Sequence, residues 1–287
     1  MCLITVGICV RNSEGTIAAT INSIVSQNFP RDKMEIIIVD GNSQDKTLDV
    51  VNNLVAATEI KCRIFSDKGE GLGAARQIVV EKALGEHILW VDADVQLGRD
   101  FIRNQLSFME KNPNVGIARG KTENVEAPDN VLIAVQNLFF SVKEEVYMGA
   151  TICRTEAIRE TGGFDKRIKG AAEDDDLRIR MAQRLWNNVI NNEAKFTHSQ
   201  RGNLRSFLTE HSWYGYGGHF IRHKHKGLIS IVYRFPPIFF GWGLKMSRKS
   251  YRQDYRKKSF LIPMLCLLII LSWWFGFTKG HIDGYGH

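Results

Sequence analysis

The first 120 residues predict an α/β fold built on an open, mostly parallel sheet. Short β-rich runs alternate there with helical patterns, the order expected of such a sheet. One run, EIIIV at Glu35–Val39, is apolar without interruption, as in a central parallel strand covered on both faces. Polar residues gather directly after the strands, on the edge where such sheets bind their ligands.

Taken in order, Leu3–Cys9 reads as the first strand, and Arg11 and Asn12 follow it. Thr16–Gln27 is helical, because Ile17, Ile21, Ile24 and Val25 fall on one face. Glu35–Val39 is the second strand and ends at Asp40. Ser43 or Asp45 can cap the next helix, whose apolar face holds Leu48, Val51, Leu54 and Val55. Arg63–Phe65 is a third strand, Gly73–Leu84 a third helix, and His87–Val91 (HILWV) a fourth strand that runs into Asp92 and Asp94. Ala194–Thr197 is a later strand, followed by His198.

A chain of 287 residues has room for one large domain with an appendage. With 44% hydrophobic residues, 24% charged residues and only 6 Pro, it is neither disordered nor collagenous. The cysteines Cys2, Cys9, Cys62, Cys153 and Cys266 are odd in number and scattered, without a CxxC pair. A zinc site or a disulfide framework is not expected, and a reducing compartment fits better. The opening MCLITVGICVRN lacks the basic start and long apolar run of a signal peptide.

The net charge of +7 hides an asymmetry. Residues 195–258 hold 14 Lys/Arg against 2 Asp/Glu, whereas residues 1–194 hold 23 against 28. The basic segment runs into Phe260–Phe277 (FLIPMLCLLIILSWWFGF), 18 residues without a charge. That order favours an anionic membrane surface over nucleic acid. The apolar run is near the lower limit for crossing a bilayer, with Trp273 and Trp274 near one end. Arg252, Arg256, Lys257 and Lys258 precede it, so the positive-inside rule keeps the residues before them cytoplasmic. A buried core helix is the other reading of the run. Leu228–Gly243, broken by Arg234 and Pro236-Pro237, is expected in the membrane interface or as a re-entrant hairpin.

Three clusters can carry chemistry. Asp92-Ala93-Asp94 closes an apolar strand. If the chain stays extended, both carboxylates point to one side and suit a hard divalent cation, although Asp is also common in turns. Glu173-Asp174-Asp175-Asp176 precedes a helical pattern with Leu177, Met181 and Leu185 on its apolar face. One or two acids serve a helix N-terminus, but four adjacent ones repel, so one is expected to meet a cation or hold a proton. Gly69-Glu70-Gly71-Leu72-Gly73 opens a helix and can cradle phosphate, with Arg76 able to reach a diphosphate. Its glycine spacing is neither a Walker A nor a dinucleotide fingerprint. His223 and His225, among basic neighbours, are expected to be solvated charge.

Residues 4–200 resemble the inverting family-2 glycosyltransferases of GT-A fold. The likeness rests on Ile8–Asn12, Ser23–Gln27 (SIVSQ), Ile36–Thr47 (IIIVDGNSQDKT), Gly85–Asp94 (GEHILWVDAD), Gly149–Arg154, Gly162–Asp165 (GGFD) and Glu173–Arg180 (EDDDLRIR). The resemblance implies a Rossmann-like catalytic domain over residues 1–200. A basic juxtamembrane segment (201–258), a transmembrane helix (259–278) and a short tail (279–287) follow it. It implies Asp40 at the nucleotide base, Asp92 at the ribose or donor sugar, and Asn12 and Arg76 as further donor contacts. Asp94 with His198 would ligate Mg2+ or Mn2+, and Asp174, with Glu173 beside it, would be the catalytic base.

Cys9 stands where the family has Pro, Gly41 where it has a second Asp, and Asp175 blurs the choice between Asp174 and Asp176. Gln200–Arg205 does not match the Q-x-x-R-W of processive synthases, which argues for transfer of a single sugar. The resemblance therefore implies a metal-dependent hexosyltransferase that moves one sugar from a nucleotide-diphosphate sugar. The apolar run and its basic collar place it at the cytoplasmic face of the cell membrane, where a lipid-linked acceptor is expected. A capsule, surface-layer or exopolysaccharide glycan is the alternative acceptor, and an inactive nucleotide-sugar-binding subunit the alternative class.

Overall fold

The computed structural model describes residues 4–123, 129–143, 145–200, 202–225, 234–254 and 256–286. The chain divides into two compact units. The first comprises Met1–Thr122, Glu145–Lys169 and Glu173–Ser199, and the second Glu123–Glu144, Gly170–Ala172 and Gln200–His287.

The first unit opens as the alternation of its sequence requires. Strand β1 (Ile4–Val10), helix α1 (Ile17–Val25), β2 (Met34–Asp40), α2 (Thr47–Ala56), β3 (Lys61–Ser66), α3 (Leu72–Lys82) and β4 (His87–Trp90) follow one another. Then come β5 (Val95–Leu97), α4 (Phe101–Lys111), β6 (Val115–Thr122), β7 (Thr151–Arg154), α6 (Thr155–Glu160), α7 (Glu173–Gln183) and β8 (Asn187–His198). Helix α5 (Val131–Val142), between β6 and β7 in the chain, belongs to the second unit.

The strands form one sheet in the order β3-β2-β1-β4-β7-β6-β8-β5. Pairing is parallel from β3 through β4, as the βα alternation dictates. Beyond β4 the sheet is mixed: β7 runs antiparallel to both β4 and β6, and β5 antiparallel to β8, while β6 and β8 are parallel.

Strand β2 shows why the sheet is buried on both faces. Ile36 and Ile38 pack into one core with helices α1, α2 and α4, whereas Ile37 and Val39 pack into the other with α3, α6 and α7. The period of two thus sends alternate residues of one apolar run to opposite cores. After β1 the chain moves out to β2 and β3, and β4 then returns to the other side of β1. That reversal opens a crevice at the carboxyl ends of β1 and β4. Asn12, Asp40, Asp92 and Asp94 all follow strand ends on this edge.

The second unit is helical, with α5, α8 (Leu204–Lys224), α9 (Pro236–Asp254) and α10 (Ile262–Ile282). Its core joins Val135, Leu138 and Phe139 of α5 to Phe207 of α8, Met246 of α9 and Ile262, Leu265 and Ile269 of α10. The apolar run of the sequence is therefore helical. Together with the 3-10 turn before it, residues 257–282 are long and apolar enough to cross a membrane by length and composition. Pro263 sits in the first turn of α10, where its missing N–H costs nothing.

Of the segment Leu228–Gly243, residues 228–233 lie outside the described residues, and Pro236-Pro237 begin α9 rather than breaking it. His225, expected to be solvated, is only 8% exposed, because α8 continues to Lys224 and turns the ring inward.

Candidate active site

The loops after β1 and β2 are laced together. Asn12 takes a left-handed conformation (φ 49°), and its side-chain oxygen accepts from the Gln44 N–H at 2.8 Å. Its own N–H donates to Ser43 Oγ at 3.0 Å. Asp40 is buried at the end of β2, and its carboxylate accepts from the Ser43 N–H at 3.1 Å. The parallel register sets Val10 beside Asp40, which is why Asn12 and Asp40, 28 residues apart in the chain, share one ledge.

Sequence reasoning passed over Asp67, one residue past β3. It is buried and accepts from the N–H groups of Gly69 and Gly71 at 2.8 and 3.0 Å, so it shapes the glycine loop. The signal was present, since Asp67 follows its strand as Asp40 follows β2. Gly71 is needed for another reason as well. At φ 108° a side chain would be strained, and a Cβ would lie 2.5 Å from the Lys169 carbonyl oxygen.

Asp92 and Asp94 do not share one extended face. Strand β4 ends at Trp90, and the Val95 N–H donates to the Asp92 carbonyl oxygen at 3.0 Å, closing a turn. The turn sends the two carboxylates to different partners. Asp92 Oδ1 lies 3.3 Å from Arg76 Nη2, and Asp94 Oδ1 lies 3.1 Å from His198 Nε2. Antiparallel pairing of β5 with β8 sets Val95 opposite His198 and so makes the second pair. Gly149 lies against Asp92, where a Cβ would stand 2.7 Å from Oδ2, so only glycine leaves room for that carboxylate.

Arg76 joins the two acidic clusters. It is 5% exposed, and its Nη1 lies 2.6 Å from Glu173 Oε1 at the start of α7. The guanidinium therefore lies between two carboxyl groups, and Glu173 is held against it. Asp174 beside it faces the loop before β7: its Oδ2 accepts from the Met148 N–H at 3.3 Å and its Oδ1 from the Asp175 N–H at 2.9 Å.

The other two acids of the run serve α7. Asp176 is fully buried and bonds Arg180 Nη2 at 2.6 Å, while Arg180 also donates to the carbonyls of Thr161 and Gly163. Asp175 pairs with Arg178 one turn on.

This crowding moves proton affinities in one direction. Burial pushes Glu173 from 4.5 up to about 8, against the pull of Arg76. Asp174 is raised by burial and by repulsion from Asp175, with Arg76 opposing. Asp92 is raised by burial, again against Arg76. Cys9, among Arg76, Asp92, Glu173 and Asp67, is pushed up to about 12 by burial and is an inert thiol. Arg76, attracted to Glu173, Asp92 and Asp174, stays a cation despite its burial.

A second buried arginine was also missed. Arg119 of β6 stacks on Tyr147, its Cζ 3.7 Å from the ring centroid, and bonds Thr122 Oγ1 at 2.6 Å. Sheet pairing sets it opposite Thr151 of β7, two residues past the Gly149 that lies against Asp92. Nothing in its sequence neighbourhood, IARGKT, marks it.

The structure thus gathers Asn12 and Asp40 on one ledge, the buried Arg76 and Glu173 with the half-buried Asp92 and Asp174 in one cluster, and Asp94 with His198 beside it. Among the described residues no group of three His, Cys, Asp or Glu forms a metal cage. An acid–imidazole pair with open positions still fits an ion whose remaining ligands are diphosphate oxygens and water.

Comparison with known proteins bears on what this arrangement belongs to. Residues 5–154 match the family described as glycosyl transferase family 2. An uncharacterized glycosyltransferase of Haemophilus influenzae is 32% identical over 112 residues, covering 39% of this chain and 44% of that protein. The poly(ribitol-phosphate) beta-N-acetylglucosaminyltransferase TarS of Staphylococcus aureus is 29% identical over 100 residues, covering 35% of this chain and 18% of that protein. The chain therefore spans less than half the length of either curated relative.

Among solved structures, a mannosyltransferase from Pyrobaculum calidifontis, in complex with GDP-Man and Mn2+, superposes with a TM-score of 0.67 at 17% identity. The match covers 98% of this chain and 87% of that one, and it shows a shared GT-A fold. With the family matched over more than half of its length, the chain belongs to glycosyl transferase family 2.

Proposed function

We propose that the protein is an inverting, divalent-metal-dependent hexosyltransferase. It moves one sugar from a nucleotide-diphosphate sugar to a lipid-linked acceptor, working at the cytoplasmic face of the cell membrane. The observation that carries this reading is the cluster of Arg76, Asp92, Glu173 and Asp174 at the sheet's switch point. There Arg76 holds Asp92 and Glu173, while Asp174 stays free of any cation within bonding distance among the described residues.

The chain's residues divide the work. Asp40 and Asn12, on the ledge after β1 and β2, take the nucleoside, with Asp40 accepting from the base. Asp92, oriented by Arg76, takes the ribose or donor sugar. Asp94 and His198 would hold Mg2+ or Mn2+, which when bound would offset charge developing on the leaving diphosphate. Arg76, between Asp92 and Glu173, orients these acids and is the further donor contact, a cation within reach of the diphosphate.

Asp174 removes the proton from the acceptor hydroxyl or phosphate as its oxygen bonds to the anomeric carbon. The bond from that carbon to the diphosphate oxygen breaks with inversion. A raised proton affinity suits a base. The burial of Asp176 and its bonds to Arg180 favour Asp174 over it in this role. Glu173, tied to Arg76, positions Asp174.

The relatives support the reading at a coarser level. The Pyrobaculum protein was solved with GDP-Man and Mn2+, and TarS is a poly(ribitol-phosphate) beta-N-acetylglucosaminyltransferase by name. The latter favours a second reading, with a glycan polymer as acceptor. The basic segment and the apolar helix favour the membrane-associated one.

The test is Asp174→Asn, assayed by release of nucleoside diphosphate from a panel of nucleotide sugars with Mn2+, with and without lipid extract. Turnover is expected to fall by at least about 100-fold, the scale of a general base, with donor affinity within about twofold of the parent. Near-normal turnover removes Asp174 as the base. Stimulation by a polymer and not by lipid moves the acceptor to the second reading.

A further inference from the structure

The apolar helix is not a lone helix. Ser212, Tyr216 and Phe220 of α8 meet Gly276, Gly280 and Gly286 in rising order, so α8 and α10 run side by side and parallel. Their backbones touch: a Cβ on Gly276 would run into the Ser212 carbonyl, and one on Gly215 into the Trp273 carbonyl. Gly280 and Gly218 are similarly closed, at 2.9 Å from His219 Cβ and 2.7 Å from the Trp273 ring. Helix α9 covers another side of α10, with Gly243 against Pro263 and Cys266. It runs antiparallel to α10, because the Trp274 indole donates to the Arg234 carbonyl at 2.6 Å at one end and Tyr251 stacks on Phe260 at the other.

Helix α8 is not a membrane helix. It carries Arg205, Glu210, Arg222 and Lys224. By the parallel register, Arg205 and Glu210 lie level with the middle of the apolar run of α10. A bilayer crossing of α10 would carry them to hydrocarbon depth, where such groups are costly. What α10 leaves uncovered is one stripe: Met264, Leu271, Phe275 and Ile282, at spacings of seven, four and seven, are 54%, 53%, 71% and 77% exposed. Phe235, Ile238 and Leu244 of the α9 side are exposed too. Lys245, Arg248, Arg252 and Lys257 have no acidic partner among the described residues, and they follow one another from the middle of α9 to the 3-10 turn that leads into α10.

We propose that α9 and α10 lie along the headgroup region of an anionic bilayer, with the Met264–Leu271–Phe275 stripe in the acyl boundary and the basic turn on the lipid phosphates. On this reading α10 does not cross. An apolar stripe beside clustered, unpaired cations is the pattern of an interfacial helix, and the face of α10 that a crossing helix would give to lipid is already taken by α8 and α9. The inference rests on the membrane location proposed above and is independent of the sugar-transfer assignment.

Two measurements on the full chain test it. In flotation with phosphatidylglycerol or phosphatidylcholine vesicles, binding is expected to be at least tenfold tighter to the anionic ones and to weaken in high salt. Leu271→Glu with Phe275→Glu should lower it at least tenfold, with circular dichroism and thermal unfolding unchanged. Lys245→Gln with Arg248→Gln should lower it by about fivefold per residue.

In sealed proteoliposomes, protease should reach N- and C-terminal tags from the same side. Tags on opposite sides overturn the in-plane reading while leaving the membrane location intact. Unchanged binding in the Leu271/Phe275 variant overturns the assigned face. Failure to float with any vesicle removes the membrane location itself.

Discussion

Glu173→Gln isolates the electrostatics of the cluster around Arg76. Glu173 is 2% exposed, and its carboxyl is raised from 4.5 to about 8, first by burial. A carboxyl raised on folding stabilises the protein fully below its unfolded value, because the folded state holds the proton more tightly. That contribution declines as pH rises from 4.5 and is gone above about 8. Stability falls by about 1.4 kcal/mol for each pH unit climbed within that window, so this group loses about 3 kcal/mol between pH 6 and pH 9.

Glutamine keeps the shape of the protonated acid and cannot titrate. The variant should gain on the parent as pH rises from 6 to 9, because only the parent loses stability across that window. The assay is urea unfolding followed by tryptophan fluorescence at both pH values, on parent and variant. At ~2–3 kcal/mol per molar urea, the midpoint gap should open by roughly 1 M on going from pH 6 to pH 9. Parallel midpoints across that range would refute the argument, because Glu173 would then be ionised by Arg76 throughout and burial would not govern it.

Other outcomes follow from the same geometry. Arg76→Met leaves Glu173 and Asp92 without their cation and should cost about 3–5 kcal/mol, read as a thermal midpoint lowered by roughly 10 °C. Combined with Glu173→Gln, the loss should be smaller than the sum, since the two share one interaction. Asp94→Ala and His198→Ala should each remove the Mn2+ dependence of donor affinity in calorimetry, and unchanged affinity in Mn2+ would count against the pair as ligands. Gly276→Val drives side-chain atoms into the Ser212 carbonyl and should cost at least about 1–3 kcal/mol in the helical unit, visible as an early step in thermal unfolding.

The unbroken apolar run at Glu35–Val39 and the punctuation of acids after successive strands were enough to read a wound sheet with a chemical edge. Strand period and helix period are local properties, so β1 through β4 emerge within a residue or two of where the side chains place them. The order of motifs also determined the family. Partner choice could not be read in this way. That Asp92 turns to Arg76 and Asp94 to His198, rather than both facing one ion, depends on a turn closed by Val95 and on the pairing of β5 with a strand a hundred residues on.

Which acid of Glu173–Asp176 stays free of cations was likewise decided by Arg76 and Arg180, reaching it from different directions. The buried Arg119 carries no local signature, because burial is a property of the packed sheet, whereas Asp67 had one in its place directly after β3. Composition alone determined that the last long helix is apolar. Only its glycine-tight packing on the charged helix α8 decided which of its faces is left open, because hydropathy counts side chains without registering what already covers them.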